Sequence, residues 1–452
     1  MSSDIKTKNY EMDMCSGPLM RKLIAFSIPL ILSSNLQLLF NAVDIIVVGK
    51  FSGSQALAAV GSTSALINIF IMLMTGISLG ASVIAGQFYA TGDKKGMEDT
   101  VHTSMTFALI SGIVLTFVGI FMSKWALTLM ETPKDILPQA VLYMRIYFLG
   151  SPFFMLYTYG AAILRSVGDT KRPLIFLSIA GLLNAGLNML LVIVFHLGVL
   201  GVAVATVFSQ MVSCVLVLRC LLKAEGSYHL YISKLGIKFN YLKQMFKIGL
   251  PAGLQSLVIN FSNVLLQSSV NSFGEFAMAG YTAANNVFGF MFATANSFTQ
   301  TCMAFMSQNY GVKNWQRMRR ILWQCLALSV GSMIVIGALV YIFGEQVLGI
   351  YTTSQKAIQC GMEVFLYTTT TYFICNIMDL LPGAMRGFGY STVPMLLSIV
   401  GTVGTRIFWI YAVFPKYHEL DVLFISYPLS WLITVIMQVI CFAFAWKRAY
   451  NK

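Results

Sequence analysis

Residues 23–49 read LIAFSIPLILSSNLQLLFNAVDIIVVG, and Asp44 is their one charged side chain. A helix rises about 1.5 Å per residue, so about 20 mostly apolar residues cross the hydrocarbon core of a bilayer. This stretch is long enough to span as a helix and too long and unbroken for a barrel strand. Eleven similar runs follow, near 56–85, 103–123, 140–164, 173–195, 198–222, 245–272, 278–306, 321–343, 357–385, 393–414 and 423–446. The expected fold is an all-α polytopic membrane protein with twelve transmembrane helices, in contact with lipid over most of its surface.

Composition agrees. The 452 residues are 57% apolar and 10% charged, against about 25% charged in soluble proteins. The net charge of +13 does not signal nucleic acid, because the basic residues sit in short clusters between apolar runs. The eight cysteines contain no C-x-x-C pair and fall mostly inside apolar runs, which argues against a disulfide framework or a zinc site. The first apolar run lacks a small-residue cleavage site and is expected to remain as the first span.

Positive charge resists translocation. With alternating connections, 23 Lys and Arg fall on the side of the N-terminus, Lys6, Lys8 and Lys452 among them, and 5 fall on the other side. Both termini are therefore expected in the cytoplasm of a multi-pass protein of the cell (inner) membrane. Gln87, Tyr89, Met97, Arg165, Gly168 and Pro173 recur as Gln308, Tyr310, Met318, Arg386, Gly389 and Pro394, all at a shift of 221. The chain thus divides into two pseudo-symmetric six-helix lobes of equal orientation, residues 1–222 and 244–452, joined by a cytoplasmic linker at 223–243. Arg165 and Arg386 are expected at equivalent ends of the fourth and tenth spans.

A carboxylate in hydrocarbon costs at least ~2.5 kcal/mol. Asp44 and Asp379 are the two that lie well inside spans. Ser34, Gln37, Asn41 and Asp44 are spaced by three, four and three, which places them on one helix face. That face is either an interhelical polar seam or an ion-coupling site centred on Asp44. The seventh span repeats the stripe without the acid, as Ser256, Asn260, Asn263 and Gln267. Asn184 and Asn188, one turn apart in the fifth span, either supply amide oxygens beside Asp44 or join helices. Asn376 and Asp379 share a face of the tenth span, and Arg406 is mid-span in the eleventh. Asp379 and Arg406 either pair as ions or contact substrate, in a cavity that Asn260, Asn263 and Asn376 would line. The histidines are scattered and there is no phosphate-binding G-x-x-x-x-G-K-[ST] loop. The chain therefore reads as a transporter without cofactor, driven by an ion or solute gradient, and not as an enzyme.

Along its whole length the chain resembles the multidrug and toxic compound extrusion (MATE) family. The resemblance is carried by Gly17-Pro18-Leu19, Ile28-Pro29-Leu30 and Asn41 to Gly49 in the first helix. Further on it rests on Leu57 to Gly61, Gln87-x-Tyr89, Leu164 to Thr170, and Arg386-Gly387-Phe388-Gly389. It implies an antiporter exporting amphipathic organic cations and drugs, coupled to H⁺ or Na⁺, with the family's first-helix aspartate at Asp44 and its fifth-helix pair at Asn184 and Asn188. The second position of that pair is an amide here, which favours protons, with sodium at Asp44 the other option. The segment Gln255 to Asn260 lacks the glutamate of NorM-type members, so the chain looks closer to DinF-like bacterial branches. A monomer is expected. The alternatives are a lipid or polysaccharide-precursor flippase of the same superfamily, marked by extra helices or cavity-lining cations that the sequence does not make evident, and a major facilitator type transporter.

Overall fold

A computed structural model describes residues 10–451; Lys6, Lys8 and Lys452 lie outside them. All regular elements among these residues are helical. The first half holds α1 (Leu19–Phe51), α2 (Gly53–Thr91), α3 (Lys94–Leu129), α4 (Leu137–Leu149), α5 (Ser151–Ser166), α6 (Lys171–Asn188) and α7 (Gly198–Leu222). The second holds α8 (Phe239–Asn271), α9 (Glu275–Gly311), α10 (Trp315–Ile342), the single turns of α11 (Gly344–Gly349), α12 (Gln355–Thr368), α13 (Tyr372–Gly387), α14 (Thr392–Ser398), α15 (Thr405–Phe408), α16 (Phe414–Tyr417) and α17 (Leu420–Tyr450). Stretches Met189–Val194, Ile399–Gly404 and Trp409–Val413 are π-helical and continue the helices they adjoin.

These elements make twelve spans. Nine are single helical rods long and apolar enough to cross a bilayer. Two more are bent pairs, α4 with α5 at 46° and α12 with α13 at 50°. The twelfth, α9, has the length with 37 residues, but Asn285, Asn286 and Asn296 dilute its hydropathy. Helices run past their apolar stretches because the turns beyond the hydrocarbon carry polar residues, as Lys94, Glu98 and His102 do at the head of α3.

The repeat is written in the backbone. Left-handed residues recur in pairs: Gly53 and Gly274, Gly92 and Lys313, Gly168 and Gly389, His196 and His418. After the second of these pairs the side chain of Asp93 accepts the Gly96 N–H at 2.9 Å, and that of Asn314 accepts the Arg317 N–H at 3.1 Å. Each caps the N-terminus of a third helix. Arg165 and Arg386 each stand one residue from the end of α5 and α13. The shift is 221 at Pro173 and Pro394 but 222 at His196 and His418. The extra residue is taken up by the π-turn Ile399–Gly404, which has no counterpart in α6.

Two compact units result. One contains the described residues up to Ala65 together with Ile84–Leu242. The other contains Leu66–Val83 and residues from Lys243 onward. Chain order alone puts all of α2 in the first lobe, whereas the middle of α2 packs within the second unit. The cause is small residues: a Cβ on Gly76 would lie 2.4 Å from the Gly253 backbone, and one on Gly80 2.1 Å from Met245 O. Gly76 and Gly80 thus face Gly249 and Gly253, two small-xxx-small motifs that let backbones meet. The linker packs on the first unit, with Tyr231 N–H donating to His102 Nε2 at 3.0 Å, Lys238 N–H to Thr103 Oγ1 at 3.1 Å, and Lys234 paired with Glu98 at 2.7 Å.

Candidate functional site

In the first unit, α1 and α6 meet at Gly181, where a Cβ would fall 1.8 Å from the Phe40 ring. The missing side chain admits the ring and brings the two backbones close. One turn beyond Phe40 stands Asp44, and two turns beyond Gly181 stands Asn188. Asn188 Nδ2 donates to Asp44 Oδ1 and, at 3.3 Å, to Asn184 Oδ1. Asn188 is fully buried, Asn184 nearly so, and Asn188 Oδ1 is a buried acceptor without a protein donor. The α-helix widens into a π-helix directly after Asn188, a distortion common at functional sites.

Three of the five expected ion-coupling residues, Asp44, Asn184 and Asn188, therefore come together. Gln37 and Asn41 do not join them. Their side chains are exposed, because α6 supplies polar partners at the level of Asp44 and an apolar notch, Gly181 with Phe40, below it. Two residues that the sequence reading passed over do lie near the acid: the phenols of Tyr143 and Tyr147, on α4, interact electrostatically with Asp44. Their i, i+4 spacing on one helix face was the available signal.

In the second unit, α8, α9, α12, α13, α15 and α17 enclose a cavity of about 400 Å³. Its wall includes Asn260, Asn263 and Asp379. Asn376 is not on it. That side chain is 1% exposed, with both amide atoms buried and without a protein partner. At i−3 from Asp379 it lies about 60° round the helix, enough to turn it into the protein.

Of the two alternatives for Asp379 and Arg406, the ion pair is not formed. Among the described residues no ion pair joins Asp379 to an arginine within 4.0 Å. Arg406 is instead held by neutral oxygens, donating from Nη1 to Asn263 Oδ1 at 2.8 Å and Ser262 Oγ at 3.3 Å, and from Nε to Ser430 Oγ at 3.3 Å. Its guanidinium lies over the Tyr427 ring at 4.5 Å. Arg386 donates to Gln255 Oε1 at 2.6 Å. Both arginines line the cavity, so cations that the sequence left inconspicuous do face a pocket. The remaining wall is largely aromatic, including Phe288, Phe292, Tyr372 and Trp431.

Comparison with known proteins agrees with this architecture. The family profile described as MatE matches twice, over residues 29–190 and 251–412. The "Probable multidrug resistance protein YoeA" of Bacillus subtilis is 27% identical over 441 residues, 95% of this chain and 94% of its own. The "Probable multidrug resistance protein NorM" of Thermotoga maritima is 23% identical, covering 89% of this chain and 87% of its own. A crystal structure of MATE in a straight conformation superposes with a TM-score of 0.91 at 20% identity, covering 97% of this chain and 98% of its own.

Proposed function

Because the chain belongs to the MatE family of membrane transporters, we propose that it exports amphipathic organic cations, driven by an ion that enters through Asp44. Membership removes the major facilitator alternative. The observation that carries the reading is the Asp44 carboxylate, bonded to Asn188 inside the first unit with Asn184 behind it. A neutral amide donor stabilises the charged carboxylate without neutralising it, so a proton remains the natural counter-charge. Sodium would want several oxygens, and here one carboxylate and a few amide oxygens are at hand. Protonation of Asp44 removes the acceptor charge that orients Asn188 and changes how α1 packs on α6. Alternation of the two protonation states then alternates access and affinity, and substrate binding must in turn promote deprotonation. One charge crossing 100 mV supplies about 2.3 kcal/mol, before any pH gradient is added.

The test is uptake into proteoliposomes under separately imposed pH and sodium gradients, with a panel of organic cations. A pH gradient is expected to drive uptake, while a sodium gradient alone is not. The Asp44→Asn protein is expected to insert and bind, yet lose gradient-driven accumulation. Wild-type rates in that variant would make Asp44 structural and defeat the proposal. The second reading, a flippase for lipid or polysaccharide precursors, is favoured by Arg386 and Arg406 on the cavity wall. Scrambling of a labelled lipid precursor in the same vesicles would support it.

A further inference from the structure

We infer that the cavity of the second unit is a binding site for the acidic group of an aromatic amphipath, with Arg406 as the residue that receives it. The inference goes beyond cation export, which requires no guanidinium on a cavity wall, and it does not depend on Asp44.

Arg406 is 3% exposed, and withdrawing a guanidinium from water is costly unless a counter-charge is supplied. The protein supplies none at contact distance. The oxygens of Asn263, Ser262 and Ser430 engage Nη1 and Nε, and among the described residues Nη2 has no hydrogen bond. The one carboxylate on the wall, Asp379, forms no ion pair with Arg406. With Arg386 also on the wall, the cavity carries one more positive than negative formal charge. Neutral oxygens orient the guanidinium of Arg406 while leaving Nη2 free, and its N–H donors can make a charge-assisted hydrogen bond to a carboxylate or phosphate oxygen. Tyr427 and Trp431, at 5.6 Å between ring centroids, and Tyr372, at 5.8 Å from Trp431, provide a face for an aromatic body beside it.

The repeat isolates what is particular to this pocket. At the 222-residue shift that holds beyond the π-turn, Arg406 corresponds to Asn184, and at the 221-residue shift of the earlier helices Leu265 stands where the first copy has Asp44. The second copy has exchanged an acid for an apolar residue and an amide for a base. The same helix pair that offers a negative charge in one unit offers a positive one in the other.

The test is equilibrium binding to full-length protein in phosphatidylcholine nanodiscs, with no gradient present, so that failure of the Asp44 mechanism and failure of this site are read separately. The probes are 1-pyrenebutyrate and its uncharged amide, followed by fluorescence. Wild type is expected to bind the carboxylate about 10-fold to 100-fold more tightly than the amide, the range for a hydrogen bond to a charged partner. Arg406→Gln is expected to remove that preference. Should that variant not fold, Asn263→Asp places a carboxylate against Arg406 from the cavity side and is expected to remove the preference equally. Repeating the titration with phosphatidylglycerol in the disc separates the sources of the acidic group. A lipid occupant lowers probe affinity in wild type and not in Asn263→Asp, whereas a soluble ligand leaves it unchanged. Equal affinity of wild type for the two probes, or a preference that survives in both variants, overturns the inference.

Discussion

Gly181 is the residue on which the geometry around Asp44 turns. With Phe40 filling its missing side chain, α6 approaches α1 closely enough for the short Asn188 side chain to reach a carboxylate. Gly181→Ala is therefore expected to destabilise by about 1–3 kcal/mol through overpacking, and to separate Asn188 from Asp44. Thermal unfolding in detergent, paired with the export assay, reads both effects. Phe40→Leu in the same protein is expected to recover part of the stability, since residues in contact show coupled energies. Additive losses would mean that the notch is not what sets the distance.

At the scale of elements, two contacts do most to place the helices. Where α2 meets α8, glycines replace side chains on both partners. Gly249→Val would bring a branched side chain to where even a Cβ lies 2.4 Å from the Ile77 backbone. This contact has no flexible neighbour to yield, so a loss larger than that of Gly181→Ala is expected in the same melting experiment. The second contact is the segment before α1. Glu11 accepts the hydroxyl protons of Tyr89 at 2.6 Å and Tyr228 at 2.8 Å, tying that segment to α2 and to the linker. Met12 N–H bonds Val167 O at 3.3 Å and lies against Gly168, whose φ of +95° suits glycine alone. Burial, opposed by Arg172 and reinforced by Glu11, pushes the Tyr228 phenol up to about 12. It stays a proton donor throughout the physiological range. Glu11→Ala is expected to leave both phenols without their acceptor and to speed trypsin cleavage at the linker lysines near 234–238. Unchanged cleavage kinetics would show that the segment does not restrain the linker.

For the molecule as a whole, the distribution of Lys and Arg makes a topological claim that reagent access can check. In a cysteine-free background, Glu225→Cys is expected to react with a membrane-impermeant maleimide only after the cells are opened. Lys134→Cys is expected to react in intact cells. Both positions are exposed, so lack of reaction reflects the membrane and not burial. Reversed labelling would invert the orientation and place both termini outside. The same reasoning extends to the repeat: Lys171 and Thr392 are equivalent at the 221-residue shift and both exposed, so cysteines placed there are expected to share one pattern of access.

By itself the sequence determined the number, order and repeat of the spans, because crossing a bilayer demands long uncharged helices and leaves few alternatives. It also marked Asp44, Asn184 and Asn188 as exceptional, since a carboxylate in an apolar run is costly wherever the helix goes. Periodicity assigns a residue to a face but not to a neighbour, and here the tertiary structure decided. Gln37 and Asn41 share a stripe with Asp44 yet lie exposed, because the partner helix brings amides to one level only. Asn376 turns inward. Arg406 pairs with neutral oxygens and not with Asp379, because a salt bridge needs charged atoms within a few ångströms and no spacing along the chain can state that distance. The middle of α2 joins the second unit for the same kind of reason. Which backbones can approach depends on glycines meeting across helices far apart in sequence, and such a meeting exists only once both are packed.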